Sequence, residues 1–177
     1  MRYACGFILI RGDHASKFES LMRTFGLDYT GNQISFDSYH DTHEFLAPSQ
    51  IEWKAVTYCK GWTVIVDIKV NLIFETEKLK KISKILKSPI YALSVISNTD
   101  WNQFCYVDGD KARVYLNDGG NIREDKGEPL ACEAVRNKYD ERPGSLDLMK
   151  AVCDISLEEI EEHKGFVLLK EFKALYY

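Results

Sequence analysis

The chain has 177 residues, a formal net charge of −4, 45% hydrophobic and 28% charged residues. That is the make-up of a globular domain with its own core, and it excludes a disordered or fibrous chain. The negative balance weighs against nucleic acid as a partner, because neutralising phosphates takes a basic face. No apolar run approaches the ~20 residues of a membrane span, and Met1-Arg2-Tyr3 does not open a signal-peptide pattern. Neither a membrane nor export is expected, and the cytoplasm is the expected compartment. The length suits one domain over 1–177 better than two. Five scattered cysteines (Cys5, Cys59, Cys105, Cys132, Cys153), odd in number and mostly in apolar surroundings, are expected to be reduced and unpaired.

In chain order, residues 3–10 form an apolar run whose length favours a buried strand over a helix. Asp13 or Ser16 then opens a helix, and Ser16-Lys17-Phe18-Glu19 fits the capping box. Phe18, Leu21, Met22 and Phe25 form one inward stripe, and Gly26 is a natural stop. A short strand is predicted over 33–38, followed by a polar stretch ending at Pro48. Residues 52–59 read as a strand that turns through Lys60-Gly61 into a second strand over 62–69. There Trp62, Val64, Val66 and Ile68 alternate with Thr63, Asp67 and Lys69, as in a half-buried strand.

A helix over 76–87 sets Leu79, Ile82, Ile85 and Leu86 on one stripe, with Pro89 beyond its end. A strand over 90–97 then makes a right-handed parallel crossover the default arrangement with the strand at 62–69. Strand-helix-strand thus occurs twice, near 3–38 and 62–97, without a repeat of the residues themselves. A hairpin turns at Asp108-Gly109. Later, 131–139 reads as a helix and Glu141-Arg142-Pro143-Gly144 as a turn. Ser145 is expected to cap a helix with Leu146, Met149 and Val152 inward. Ser156-Leu157-Glu158-Glu159 is a second capping box, and 166–169 reads as a strand. The fold class is α+β: a mixed or mostly antiparallel sheet with helices packed on it.

His40-Asp41-Thr42-His43-Glu44, with Asp37 upstream, is the one dense group of metal-ligand residue types. Two imidazoles three apart on a helical turn can face one ion. His40, His43 and Glu44 are therefore the candidate metal ligands of a small enzyme or ligand-binding domain. A polar surface loop is the plainer reading, since no second ligand group at zinc-site spacing exists. Cys59 and Cys105 are candidate nucleophiles, with His14, His40, His43 or His163 as base. Both lie inside predicted strands between bulky residues, a setting for inert thiols. No nucleophile elbow, phosphate-binding loop or dinucleotide fingerprint is present, so no cofactor is expected. Asp118-Gly119-Gly120-Asn121 reads as a tight turn, and Arg11-Gly12-Asp13 as a chance tripeptide. Lys78, Lys80, Lys81, Lys84 and Lys87 form the solvated face of their helix. The acidic counterpart is Glu158, Glu159, Glu161 and Glu162, with Glu124, Asp125 and Glu128 in a loop; such clusters steer basic partners.

The order Gly61-Trp62-Thr63-Val64, helix, Ser94-Val95, Trp101-Asn102-Gln103-Phe104, Asp108-Gly109, Arg113, Gly127-Glu128-Pro129-Leu130 resembles a group of small uncharacterised bacterial domains. Several of these are encoded near polymorphic toxin systems and are read as immunity proteins. The resemblance spans about 70 residues and carries no catalytic residues; it implies at most a protein-binding role. The expectation is a cytoplasmic bacterial protein-interaction domain without catalysis, in its specific form an inhibitor of a toxin. In that form Glu158, Glu159, Glu161 and Glu162 are the partner-binding candidates.

Overall fold

The apolar run at the start of the chain becomes β1 (Ala4–Arg11), the middle strand of a nine-stranded sheet. The structure, a computed structural model, describes residues 4–38, 52–67, 69–96, 102–118, 120–134 and 144–175. Its other strands are β2 (Leu27–Ser38), β3 (Glu52–Cys59), β4 (Trp62–Asp67), β5 (Ile90–Ile96), β6 (Asn102–Asp108), β7 (Lys111–Asp118), β8 (Asn121–Lys126) and β9 (Lys164–Ala174). The spatial order is β2-β9-β3-β4-β1-β5-β6-β7-β8, and every ladder between these strands is antiparallel. The last strand therefore enters between β2 and β3, and β2 reaches the sheet through β9.

Among the described residues, four helices cover the sheet: α1 (Phe18–Thr24), α2 (Thr76–Leu86), α3 (Ser145–Cys153) and α4 (Leu157–Glu161). Side chains alternate across a strand, and in β1 the two sets go to different cores. Phe7 and Leu9 join Val64, Tyr91, Leu148, Met149 and Ile160 under α3 and α4. Ile8 and Ile10 join Ile65, Met22, Leu79 and Ile82 under α1 and α2. The result is a strand-rich sheet between two helical layers. No helix among the described residues is long and apolar enough to cross a membrane.

Several expected elements form as the sequence suggests. The turn at Lys60-Gly61 has both residues at positive φ (48° and 86°) and joins Cys59 to Trp62 in register. That two-residue geometry matches the right-handed twist of the flanking strands. The stripe of α1 is buried (Phe18, Leu21, Met22, Phe25), and Gly26 follows at φ +80°. The 166–169 strand is part of β9. All five cysteines are free.

Other expectations are corrected. The second hairpin turns at Gly109-Asp110, one residue later than read, because Asp108 still pairs with Lys111. The 62–69 strand is not half-buried: all six residues of β4 are buried, Thr63 and Asp67 included, because helices cover both faces. β4 and β5 do run parallel, as both are antiparallel to β1, but β1 lies between them and they share no ladder.

Three local readings also change. Ser16 caps nothing; 15–17 wind into a 3₁₀ turn continuous with α1, and Asp13 Oδ1 accepts from the Ala15 amide at 3.2 Å. In α2, Ile85 is 64% exposed, and the core-facing slot goes to Ser83. Its hydroxyl donates to the Ser88 carbonyl at 2.7 Å and accepts from the Gly109 amide at 2.9 Å, so the helix end grips the β6–β7 turn. α3 is capped from Gly144, whose amide donates to Asp147 Oδ2 at 3.2 Å, and its buried positions are Ser145, Leu148, Met149 and Cys153. Of the helix expected over 131–139, only a 3₁₀ turn over Ala131–Ala134 falls within the described residues.

Trp62 is 5% exposed, in the core beneath α3 and α4. Trp62→Ala is expected to lower stability by about 3–5 kcal/mol in chemical denaturation, the range for removing a large buried aromatic. A loss below about 1 kcal/mol would mean that the core here collapses onto the gap or that the ring is not packed as described.

Candidate functional site

The candidate metal ligands His40, His43 and Glu44 lie outside the described residues. Asp37, just upstream, is exposed on β2. Among the described residues no group of three or more His, Cys, Asp or Glu is placed to hold a metal ion.

The candidate nucleophiles have the inert setting expected of them. Burial pushes the Cys105 thiol up to about 11, and burial followed by the Glu159 charge raises that of Cys59. Neither is a thiolate near neutral pH, and the thiolate is the reacting form. Among the candidate bases, His14 holds its loop to the sheet end. Its Nε2 donates to the Arg11 carbonyl at 2.9 Å and lies 3.3 Å from Ser88 Oγ.

The acidic candidates divide. α4 is a single short helix, and its capping box forms as expected. The Glu159 amide donates to Ser156 Oγ at 3.2 Å, and the Ser156 amide to Glu159 Oε2 at 2.7 Å. Glu159 also pairs with Lys60 of the β3–β4 turn and with Lys150 of α3 at 3.2 Å. The Lys60 ammonium, then the Ser156 amide, hold its carboxyl at about 2. Glu159 is thus a tie between α4, α3 and the hairpin rather than a free surface charge. Glu158 and Glu162 are exposed, Glu161 is half-buried, and none of the three makes an ion pair among the described residues. On the lysine face of α2, Lys78 pairs with Glu75 at 3.2 Å, Lys80 with Glu77 at 2.8 Å, and Lys84 with Asp110.

Two buried charge clusters go beyond the sequence reading, which places Arg113 only within the resemblance and Asp125 only in an acidic loop. On β3 and β4, Lys54 pairs with Asp67 and, at 3.1 Å, with Glu52; Glu52 also meets Lys69 at 2.9 Å. The Lys54 and Asp67 side chains are 2% and 0% exposed, and the Leu72 amide donates to Asp67 Oδ2 at 3.0 Å. The lysines beside Glu52, Lys54 foremost, outweigh its desolvation and lower its pKa. Counting back from the Lys60-Gly61 turn sets Lys54 opposite Asp67, so the hairpin register alone was a signal for this pair.

The second cluster centres on Arg113 of β7, whose side chain is 2% exposed. Its Nε and Nη2 donate to the two oxygens of Glu133, both at 2.8 Å. Nη1 donates to Asp125 at 2.6 Å and to the Lys126 carbonyl at 3.1 Å. The guanidinium also lies 5.9 Å and 5.7 Å from the ring centres of Phe104 and Tyr115. Such a planar, bidentate arrangement is what arginine alone supplies. Glu133 Oε1 further accepts from the Leu130 amide at 2.8 Å. Gly127 (φ +86°) passes so close to β7 that a Cβ there would collide with the Ala112 carbonyl. Segment 127–134 is therefore fastened across β7 at both ends. It walls a cavity of about 540 Å³ whose lining includes Tyr106, Lys111, Glu128, Pro129 and Leu130.

Fold and clusters together define a strand-rich mixed α/β protein whose buried ion pairs join neighbouring strands and fasten segment 127–134 to β7. No protein-family model, curated protein or solved structure matches the chain.

Glu133→Ala is expected to cost about 3–5 kcal/mol in urea unfolding, since removing one partner leaves Arg113 buried with part of its charge uncompensated. A cost under about 1 kcal/mol would place the pair with exposed ion pairs. Acid unfolding checks Glu159. Its carboxyl lies at about 2 in the folded protein against an ordinary 4.5. Its contribution is therefore complete above the higher value and is lost as pH falls toward the lower one. Glu159→Gln should flatten the acid limb in that window, and an unchanged limb would contradict the tie.

Proposed function

We propose that this chain is a non-catalytic protein-interaction domain of the bacterial cytoplasm, with a basic toxin as the partner it inhibits. The observation that carries this reading is the surface of α4. Its capping box and the Glu159 ties fix the helix to the body of the protein, while Glu158, Glu161 and Glu162 keep their charge uncompensated among the described residues. A rigid, uncompensated acidic turn attracts a basic surface before contact and loses no ion pair of its own on docking. The buried thiols with raised pKa values and the fully engaged Arg113 and Lys54 clusters fit the same reading. Glu159 is removed from the steering set, because its carboxylate already has its partners.

Binding kinetics test the proposal, with the toxin product of an adjacent gene as analyte at two ionic strengths. Replacing Glu158, Glu161 and Glu162 by Gln should slow association and flatten its salt dependence, with dissociation little changed. Charges at an interface rim act mainly on encounter, and a Debye length of about 8 Å at physiological salt screens them. An association rate at low salt equal to that of the parent protein would remove α4 from the interface. Absence of any binding to the adjacent gene's product would remove the inhibitor reading itself.

A further inference from the structure

The cavity beside Arg113 has the features of a ligand site, and it uses none of the carboxylates of α4. By strand register Tyr106 stands opposite Arg113, and Lys111 lies two residues before it, so all three project from one face of the β6–β7 hairpin. The facing wall is Glu128, Pro129, Leu130 and Ala131. This wall is held before any ligand arrives: Arg113 grips Glu133, Glu133 accepts from the Leu130 amide, and Gly127 lies against Ala112. A preformed wall reduces the ordering cost of binding. At about 540 Å³ the space is in the range of small-molecule sites.

The polar groups at its edge decide the ligand class. The Arg113 guanidinium is spent on two carboxylates and two backbone carbonyls, so it forms the floor and not an anion hook. Lys111 on the strand wall and Glu128 on the loop wall are both exposed, and neither makes an ion pair among the described residues. One cavity is thus lined by a lysine and a glutamate, neither with an ion pair among the described residues, together with Pro129, Leu130 and Tyr106. We infer that this cavity binds a small zwitterion with an apolar side chain, of amino-acid to dipeptide size. Its carboxylate would meet Lys111, its ammonium Glu128, and its side chain Leu130 and the Tyr106 ring.

The test is titration of the isotope-labelled full chain with leucyl-leucine, followed by amide chemical shifts. Saturable shifts confined to 106–113 and 127–134 are expected. Lys111→Gln and Glu128→Gln should each weaken binding about threefold to tenfold, the scale of a partly exposed charge-assisted contact. Both side chains are exposed and unpaired, so the rest of the spectrum should match the parent and report an intact fold. N-acetylated and C-amidated leucyl-leucine, each carrying one charge, should bind more weakly than the zwitterion. Three outcomes would overturn the assignment: no saturable shift up to tens of millimolar, equal affinity in both variants, or equal affinity for the singly charged derivatives. None depends on whether α4 meets a protein partner, so the site and the inhibitor reading fail independently.

Discussion

The architecture depends on one constraint: the central strands are sealed on both faces. β1 sends alternate side chains into two separate cores, and β4 has no exposed residue at all. A sheet of this kind needs helical cover on both sides, and the chain supplies it from different regions. α1 and α2, from the first half, close one face; α3 and α4, from the last third, close the other. The order of connection follows from this. β9 follows the second helical layer in sequence and lies between β2 and β3, and β2 is held in the sheet through β9.

Two-sided burial leaves polar side chains of the middle strands without water, so each must find a partner inside. Lys54 and Asp67 meet this demand across the β3–β4 hairpin, with Glu52 and Lys69 at its wetter end. Ser94 donates to Gln103 Oε1 at 3.0 Å across β5–β6. The Thr63 hydroxyl donates to the Gly12 carbonyl at 2.7 Å and accepts from the His14 amide at 2.7 Å. For the Lys54–Asp67 pair, breaking it by removing one partner costs more than the intact pair contributes over an apolar equivalent. Arg113 does comparable work further along the sheet, where it fixes segment 127–134 over β7 and so shapes the cavity there.

The edges of the sheet are guarded by different means. β8 carries Arg123, Glu124, Asp125 and Lys126 in succession, and charge along an edge opposes pairing with another chain. β2 breaks its register with β9 twice, between Tyr29 and Gln33 and between Phe36 and Ser38. Such irregularities twist an edge away from a flat template.

The sequence by itself determined the local elements wherever a short-range rule is strong. The Lys60-Gly61 turn, the stripe of α1, the Ser156–Glu159 capping box and the extent of β3 depend on neighbours within a few residues, and all appear as read. The inert state of Cys59 and Cys105 was legible for the same reason, since bulky apolar neighbours in a strand forecast burial. Even the Lys54–Asp67 pair was within reach by counting from its turn. Tertiary structure alone decided the rest. Nothing near β4 says that a second helical layer will cover its Thr63 and Asp67 face, because α1 and α2 lie far from it in sequence or across a crossover. Nothing near Arg113 names Glu133 as its partner, since the two meet only when segment 127–134 folds back over β7. The local capping role of Glu159 is legible, but its pairs with Lys60 and Lys150 form only when packing brings those lysines to it. In each case the deciding force is the pairing of a charge or the covering of an apolar face by residues distant along the chain, and local pattern carries no record of that.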